Sequence, residues 1–395
     1  MAQDDPDQYL VLTKSERRRR ERLKALPTWG ETPEQTRARR TRLVKELALQ
    51  AGFSAVGIAR AELLTSDLEH LQTWLATGKH ATMAWLAEDP ARRCDPGLVV
   101  PGARAVIALT LNYQTNHPYS HEVALQPDRA WVSRYAWGDD YHDLIEKRLK
   151  IYEDSVVQAL LPELDEGFRG PGTEPGHFKG FRDFRRYVDH GPLLERAWAE
   201  RAGLGWRGKH SLLVQPRGGS FVFLAGVITT LDLDCDVAEV DHCGNCTACI
   251  DACPTAAIVA PRVVDARRCI SHASIEIDGQ IPSEYRSLLG DHLFGCDRCQ
   301  EVCPFNRFST PCGEPAFEPR PGLVAPLLSQ IETVCAEPET AALAGSSLRR
   351  RGAAGLLDNV AAVREGRPAI LHPAPNQPTL APTLQASPAL PNREP

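Results

Sequence analysis

The sequence predicts an α+β protein, and three observations lead to this fold class. Helical patterns and short apolar strands mix along residues 36–235 without strict β-α-β alternation. Eight of the twelve cysteines lie between residues 243 and 303, which sets a separate segment apart. The chain ends in residues 368–395, which contain eight prolines and no periodicity. This end is predicted to be a disordered tail.

The elements of the first domain follow from hydrophobic spacing and turn residues. Residues 1–35 are polar and without clear periodicity, and they are predicted to be a mobile basic arm. Leu43, Val44 and Leu47 then recur at helical spacing, and Gly52 ends the helix. In the same way the sequence predicts strands at 55–59, 104–113 and 184–189, helices at about 67–77, 139–161 and 192–203, and a hairpin around Arg217, Gly218 and Gly219. A small helical element with a serine cap is predicted at 346–363.

Composition and charge limit the function classes. The chain has 395 residues and a formal net charge of −6, which weighs against a protein that binds nucleic acid over its whole surface. Two stretches are nevertheless basic: residues 14–24 carry seven basic side chains against two acidic ones, and residues 179–217 carry nine against four. They predict either a site for a polyanionic ligand or solvated helix faces and a mobile arm.

No segment predicts a membrane span or an export signal. The longest apolar stretches, such as FVFLAGVIT at 221–229, reach strand length and not the roughly 20 residues that cross a bilayer. The run RRRR at 17–20 is followed by polar residues and not by the apolar segment of a twin-arginine signal. We therefore expect a cytoplasmic protein, in which closely spaced cysteines indicate metal.

The cysteine segment contains one pattern twice. CGNCTACIDACP at 243–254 has the C-x2-C-x2-C-x3-C-P spacing of bacterial ferredoxins, in which the fourth cysteine serves the other 4Fe-4S cluster. GCDRCQEVCP at 295–304 matches the end of this pattern, but Leu293 stands where its first cysteine would be. Cys269 is the remaining cysteine between the two runs, so we expect it to supply the missing ligand.

The ferredoxin rule assigns eight cysteines to two clusters. One cluster is predicted to bind Cys243, Cys246, Cys249 and Cys303, and the other to bind Cys253, Cys269, Cys296 and Cys299. Zinc is the alternative, but two C-x2-C pairs would explain four cysteines and not two C-x3-C-P endings. The other cysteines follow no such pattern and are predicted to be small apolar residues: Cys94, Cys235, Cys312 and Cys335.

The α+β domain carries the candidate chemical side chains. GLGWRG at 203–208 follows a helix and not a strand, so a dinucleotide fingerprint is not predicted. Asp189 lies between a predicted strand and a predicted helix, where its carboxyl could act as an acid or base, or could cap the helix. Two further stretches combine glycines or aromatic rings with polar groups: GLGWRGKHS, with Trp206, Lys209, His210 and Ser211, and SRYAWGDDYH, with Arg134, Asp139 and Asp140. A tight loop and an ordinary helix start are the alternatives for these two stretches.

Together these motifs resemble one enzyme family. RYAWGDDYH, VDHGPLLERAWAERAGLGWRGKHSLL, CGNCTACIDACPTAAI, VDARRCISH and GCDRCQEVCPFNRF are similar, in this order, to epoxyqueuosine reductases, the cobalamin-dependent enzymes of tRNA queuosine synthesis. The resemblance covers about residues 37–312, and GSSLRRRGAAGLLDNVAAV at 345–363 resembles the helical element that continues the family. The basic arm and the proline-rich end lie outside it, and the C-terminal helical part looks shorter than in members with helical repeats.

The resemblance implies a domain organisation and a reaction. A cobalamin-binding mixed α/β domain at 36–235 would precede a ferredoxin-like two-cluster domain at 236–312, a short helical element at 313–366 and the tail at 367–395. The clusters would reduce the cobalt of cobalamin. Epoxyqueuosine at the wobble position of a tRNA anticodon would then be reduced to queuosine with two electrons and two protons, the last step of its biosynthesis.

The resemblance also implies roles for individual residues. The family's proton donor, in a V-D-x-x-P motif, falls on Asp189, which becomes the predicted general acid. The eight cluster cysteines of the family fall on those assigned above. Corrin contacts are expected from Asn112, Arg134, Tyr135, Asp140, Tyr141, Gly208, Lys209 and Ser211. The basic stretch 179–217 becomes a predicted rim for tRNA phosphates around a pocket for an extruded base.

Two other functions are kept as alternatives. A reductive dehalogenase also joins cobalamin to two such clusters, but those proteins normally carry an export signal, which we do not expect here. A plain two-cluster electron-transfer protein would bind neither cobalamin nor tRNA. For the reductase we expect a monomer that receives electrons from a flavodoxin- or ferredoxin-type donor.

Overall fold

The computed structural model describes residues 31–123, 125–126, 128–160, 184–336 and 343–366. The predicted tail at 367–395 and nearly all of the predicted arm at 1–35 therefore lie outside the described residues. Within the described ranges, no helix combines the length and the apolar character that a membrane crossing requires.

Helices and strands mix along the chain, which confirms the α+β prediction. The helices are α1 Pro33–Gln50, α2 Thr65–Ala76, α3 Pro90–Cys94, α4 Tyr141–Leu160, α5 Glu195–Arg201, α6 Ala248–Asp251, α7 Ser283–Arg286, α8 Arg298–Glu301, α9 Leu328–Ala336 and α10 Gly352–Glu365. The strands are β1 Ala55–Arg60, β2 Ala105–Asn112, β3 Trp131–Val132, β4 Phe184–Tyr187, β5 Trp206–Arg207, β6 Leu213–Val214, β7 Val222–Thr229, β8 Ile258–Ala260, β9 Val263–Val264 and β10 His292–Phe294.

A four-stranded antiparallel sheet forms the centre of the first domain, in the order β1-β2-β7-β4. Val106 in β2 lies opposite Ile228 in β7. Along β2, Ile107 and Leu109 belong to the core on one face, whereas Val106 and Ala108 belong to the core on the other. Because both faces are covered, β2 is a continuous apolar run instead of an alternating one.

Helices cover the two faces of this sheet. α1 begins with a capping box, in which Thr32 accepts a hydrogen bond from the Gln35 amide and the Gln35 side chain accepts one from the Thr32 amide. Leu47 of α1 and Leu149 of α4 pack on the Ile107 face. Trp198 of α5 packs on the opposite face. The predicted helices at the start of the domain, at 67–77 and at 139–161 are therefore confirmed.

A second core joins the helical element to the middle of the chain. β3 pairs in parallel with β10, and Trp131 and Phe294 share this core with residues of α9 and α10. Asn359 of α10 is fully buried, and its amide donates hydrogen bonds to the carbonyls of Ser274 (2.8 Å) and Leu293 (2.9 Å). Ser346 caps the short 3-10 turn before α10, as predicted.

Two local predictions are wrong in detail. α5 begins at Glu195 and not at Pro192, because the chain first turns through Asp189 and Gly191, whose φ angles are +56° and +113°. The predicted hairpin is reduced to a turn closed by a bridge between Gln215 and Gly219, and β6 pairs with β5. The predicted turn residues do form a turn, but tertiary packing decides that β6 pairs with β5 and not with β7.

Candidate active site

Asp189 lies in the loop between β4 and α5. Its left-handed φ of +56° is unusual for a residue with a side chain, and an antiparallel bridge between Val188 and His190 supports it. The side chain is 64% exposed, and the protein atoms around it also desolvate its carboxyl. The N-cap alternative is wrong, because Leu194 is the N-cap residue of α5.

Three groups contact Asp189. The Tyr141 hydroxyl donates a hydrogen bond to Oδ2 (2.5 Å), and Nε2 of His142 lies 3.6 Å from the same oxygen. The Asp189 amide donates to Oε1 of Glu195 (2.6 Å). Desolvation favours the neutral acid, but His142 and Tyr141 outweigh it and hold the pKa of Asp189 below its ordinary value. The carboxyl is therefore ionised near neutral pH.

His142 is held from its other ring nitrogen. Nδ1 lies 2.8 Å from Oδ1 of Asp140, and Asp140 in turn pairs with Nε of Arg349 at 2.9 Å. Desolvation disfavours the charged ring, but the contacts with Asp140 and Asp189 outweigh it and raise the pKa of His142 to about 9. Asp140 also accepts from the His142 amide at the start of α4, so the helix-start interpretation of Asp140 holds beside its role in this network.

A second group near Asp189 also keeps a proton. Desolvation, followed by the charge of Asp189, raises the pKa of Glu195 to about 8. The ring of Tyr141 stacks between Phe223 (centroids 4.2 Å apart) and His142 (4.0 Å), so its hydroxyl is fixed toward Asp189. The site thus places an ionised carboxylate beside two groups that are protonated at neutral pH.

The structure brings four of the predicted site residues together here. Tyr135, Asp140, Tyr141 and Asp189 share this region, with the rings of Tyr135 and Tyr141 6.0 Å apart at their centroids. Desolvation and the charge of Asp189 raise the pKa of Tyr135 well above its ordinary value, so it stays a neutral phenol. These residues come from the start of α4, the turn before it and the loop after β4.

Gly208, Lys209 and Ser211 lie together beside the first cysteine run. The Lys209 ammonium donates to the carbonyls of Gly244 (2.7 Å) and Cys246 (2.8 Å). Ser211 has a φ of +70°, and its buried hydroxyl has no hydrogen-bond partner among the described residues. Arg196, next to Glu195 in α5, donates to the Ser211 carbonyl at 3.0 Å, which connects this group to the Asp189 region.

Asn112 and Arg134 do not join either group through their side-chain ends. The Asn112 amide donates to the Thr310 carbonyl (2.8 Å) and accepts from the Gln114 amide (2.8 Å). The Arg134 guanidinium is buried, stacks 4.4 Å from the Trp137 ring centroid and donates to backbone carbonyls of residues 115–118. Both side chains are thus engaged in holding loops, and their predicted corrin contacts stay predictions.

The first predicted group of cysteines is assembled in space. Burial raises the pKa of Cys249, and so do, in order, the neighbouring thiolates of Cys303, Cys243 and Cys246. The charges of Cys243 and Cys246 also raise the pKa of Cys303, so these four thiols are neighbours. Cys246 is exposed, whereas Cys249 is buried, so this group reaches the surface at one corner.

The second predicted group is more deeply enclosed. Burial raises the pKa of Cys299 well above its ordinary value, and the thiolates of Cys269, Cys253 and Cys249 raise it further. The charges of Cys299 and Cys269 raise the pKa of Cys296, and the charge of Cys253 raises the pKa of Cys269. Because Cys249 belongs to the first group, the two groups are neighbours.

The surroundings of these sulfurs fit thiolate ligands. The Trp206 indole donates to Sγ of Cys243 (3.4 Å), and the Ala257 amide donates to Sγ of Cys253 (3.2 Å). Backbone amides also lower the pKa values of Cys269, Cys296 and Cys303. Among the described residues, no three His, Cys, Asp or Glu side chains converge on a single metal ion. A 4Fe-4S cube binds each thiolate to a different iron, so its ligands surround a wider space.

Sequence reasoning missed several groups of the site. His142 and Glu195 stand in quoted motifs but were given no role, although His142 follows Asp140 by two residues and Glu195 opens the helix after Asp189. Arg350, whose charge favours ionised Asp189, comes from the C-terminal element and carries no local signal toward this site. The sequence likewise does not predict the contact between Trp206 and Cys243, because 37 positions separate the two residues.

Comparison with known proteins agrees with this geometry. A family model described as Epoxyqueuosine reductase QueG, DUF1730 matches residues 93–166, and one described as 4Fe-4S double cluster binding domain matches residues 242–306. The epoxyqueuosine reductase of Pseudomonas aeruginosa is 41% identical over 325 residues, 82% of this chain and 84% of the relative. That of Cellulophaga algicola is 39% identical over 326 residues, 82% of this chain and 98% of the relative.

Solved structures give the same result. A crystal structure of epoxyqueuosine reductase with a tRNA-Tyr epoxyqueuosine-modified stem loop matches with a TM-score of 0.69 and 30% identity, covering 82% of this chain and 80% of that one. The Bacillus subtilis enzyme, with its catalytic aspartate loop swung out of the active site, matches with a TM-score of 0.67, 30% identity and the same coverage. With these relatives, the chain belongs to the epoxyqueuosine reductase family.

Proposed function

We propose that this chain reduces epoxyqueuosine in tRNA to queuosine, with cobalamin and two 4Fe-4S clusters as cofactors and Asp189 as the acid that protonates the departing oxygen. The observation that carries the proposal is the Asp189 region, where a carboxylate lies beside two protonated groups and Arg196 reaches the 208–211 loop that contacts the first cysteine run. The family relatives supply the substrate class.

Residues of the Asp189 region and of the 208–211 loop would hold a large polar cofactor such as cobalamin. The Ser211 hydroxyl is buried without a partner among the described residues, which leaves it free to bond a polar group of a ligand. Tyr135, Tyr141 and Ser211 would contact the ring or its amide side chains. Cobalamin, when bound, supplies a cobalt centre that can pass electrons to a carbon–oxygen bond.

The protein's own contribution at the epoxide is proton delivery. An epoxide oxygen that leaves as an alkoxide needs a proton, and Oδ2 of Asp189, which the Tyr141 hydroxyl contacts, is the carboxyl oxygen that would deliver it. The Bacillus subtilis relative carries its catalytic aspartate on a loop, and Asp189 also lies on a loop. The Tyr141 and His142 contacts hold this loop residue in place.

Electrons would enter through the exposed corner of the first cysteine group. The cluster at Cys243, Cys246, Cys249 and Cys303 reaches the surface at Cys246, and the enclosed cluster at Cys253, Cys269, Cys296 and Cys299 is its neighbour. We propose a flavodoxin- or ferredoxin-type protein as the donor, a monomeric enzyme and a cytoplasmic location, where tRNA is available.

The substrate would be the anticodon arm of a tRNA with the modified base extruded. The solved relative binds an epoxyqueuosine-modified stem loop. On this chain, Arg349 and Arg350 are about half exposed and stand beside the Asp189 region, where they can meet phosphates at the rim. The predicted phosphate rim at 179–217 is described only from residue 184 onward.

The experiment compares the wild-type chain with Asp189→Asn and with Asp154→Asn, an exposed aspartate of α4 that pairs with Lys150. Each protein is purified without oxygen, reconstituted with clusters and cobalamin, and given epoxyqueuosine-containing tRNA and a strong reductant. We expect Asp189→Asn to lose turnover on the order of 10²- to 10⁴-fold, whereas its corrin and cluster absorption stays unchanged. Asp154→Asn should match the wild type.

Two outcomes would contradict the proposal. If the wild-type chain holds clusters and corrin and converts no epoxyqueuosine, the function is wrong. If it binds clusters but no corrin, the plain electron-transfer alternative replaces it. Full activity of Asp189→Asn would leave the function intact and remove only the role of Asp189.

A further inference from the structure

The acid of the proposed reaction poses a chemical problem. Asp189 has its pKa held below the ordinary value, so near neutral pH its carboxyl is ionised and holds no proton to donate. The site therefore needs a second group that stores the proton and passes it to Asp189. His142 is the group whose geometry fits this task.

We propose that His142 is the proton reservoir of this site and that Asp189 relays its proton to the oxygen of the opened epoxide. Nε2 of His142 lies 3.6 Å from Oδ2 of Asp189, within ion-pair distance, while Nδ1 lies 2.8 Å from Oδ1 of Asp140. Arg349 holds Asp140 in place from the C-terminal element. The inference rests on the proposed function, because it concerns the proton that this reaction consumes.

The step balances. The N–H bond at Nε2 of the imidazolium breaks, an O–H bond forms at Oδ2 of Asp189, and that proton moves to the epoxide oxygen, leaving a neutral imidazole. Both carbon–oxygen bonds of the epoxide break and a carbon–carbon double bond forms, with two electrons that come from the cluster and cobalamin side of the proposed reaction. The second proton required for water enters when His142 is protonated again from solvent, and its side chain is 29% exposed, which allows this.

The charged and titratable neighbours of His142 come from three parts of the chain. α4 and the turn before it supply Asp140 and Tyr141, the loop after β4 supplies Asp189, His190 and Glu195, and the C-terminal element supplies Arg349 and Arg350. Their net effect keeps the ring protonated below about pH 9. Activity that needs this proton is therefore present below that pH and is lost as pH rises through it.

The test is the pH dependence of turnover in two variants of the reconstituted enzyme. His142→Asn retains a donor near the position of Nδ1 for Asp140, and His142→Gln retains one near the position of Nε2 for Asp189, but neither amide can release a proton. With the imidazolium gone, the pKa of Asp189 rises, so Asp189 must carry its own proton. We expect both variants to lose about 10²-fold in turnover at pH 8.5 and less than about tenfold at pH 6.

Controls separate this role from a structural one. His70→Gln changes an exposed histidine of α2 and should keep the wild-type profile. NMR titration of labelled histidines adds a readout without turnover: Asp189→Asn should lower the pKa of His142, since it removes one of two carboxylates at the ring.

Each outcome decides between roles. If the high-pH limb, which is the decline of turnover as pH rises, moves to lower pH in both His142 variants, the result supports His142 as the proton reservoir. An unchanged limb overturns it, and an equal loss at every pH assigns His142 a purely structural role. If wild-type enzyme converts no substrate, the proposed function fails, whereas the NMR result still reports on the His142 and Asp189 pair.

Discussion

The cysteine segment and the Asp189 region solve different assembly problems. In the cysteine segment, seven of the eight predicted ligands lie in two runs of eleven residues or fewer, and Cys269 completes the second group from the segment between the runs. In the Asp189 region, Asp140, Asp189 and Arg349 come from three distant parts of the chain. A site built from local spacing can be read from the sequence, whereas a site built from a network of charges cannot.

The two regions also differ in what determines their chemistry. Cysteines are ligands by residue type, and their environment only has to favour the thiolate. The pKa of Asp189 is decided by its neighbours, since desolvation raises it whereas the contacts with His142 and Tyr141 lower it below the ordinary value. Substitutions of the cluster cysteines should therefore remove a cluster, whereas substitutions around Asp189 should shift its pKa.

The largest effect is expected from Cys269→Ser, which tests the local assembly. Because Cys269 is the predicted replacement for the first cysteine of the second run, its loss should remove one of two clusters, about half of the bound iron. Turnover should be lost with it. Iron and acid-labile sulfide are measured after anaerobic reconstitution.

Cys94→Ser and Cys335→Ser are the matched controls, because both cysteines are buried away from the two groups. They should retain all the iron. A Cys269→Ser protein with its full iron content would show that another residue completes the second cluster.

A smaller effect is expected from Tyr141→Phe, which tests the charge network. The substitution removes the 2.5 Å donor to Asp189 and keeps the ring on Phe223. Since this donor favours the carboxylate, the pKa of Asp189 should rise toward its ordinary value, and turnover should change by less than about tenfold. Carboxyl NMR of labelled aspartate follows the titration.

Tyr152→Phe is the control, because the buried Tyr152 hydroxyl has no hydrogen-bond partner among the described residues. Its aspartate titration should equal that of the wild type. An Asp189 titration that does not move in Tyr141→Phe would mean that His142 alone keeps the carboxyl ionised.

The smallest effect is expected from Trp206→Phe, a change in the α+β domain that acts on a cysteine of the first group. The indole N–H hydrogen bond to the Cys243 sulfur stabilises the more negative, reduced cluster, so its loss should shift that cluster's potential to a more negative value. The iron content should stay complete. Potentiometric titration followed by EPR measures the shift.

Trp85→Phe, at an exposed tryptophan far in sequence from the eight predicted cluster cysteines, should leave both potentials unchanged. Equal potentials in Trp206→Phe and wild type, with iron intact, would contradict a tuning role for Trp206.

Much of this protein was predictable from its sequence, for physical reasons that particular residues illustrate. β2 was predictable because an apolar run with both faces buried has a local signature, and α1 because its cap and its apolar stripe lie within one helix. The pairing of β6 with β5 was not predictable, because tertiary packing decides which strands meet. The start of α5 at Glu195 was not predictable either, because the backbone first passes through left-handed turns at Asp189 and Gly191. Residue types and spacings determined the fold class and the cysteine groups. Only the tertiary structure decided that Asp189 is ionised and that His142, Glu195 and Arg349 surround it, because a pKa depends on charges within a few ångströms and not on neighbours in sequence.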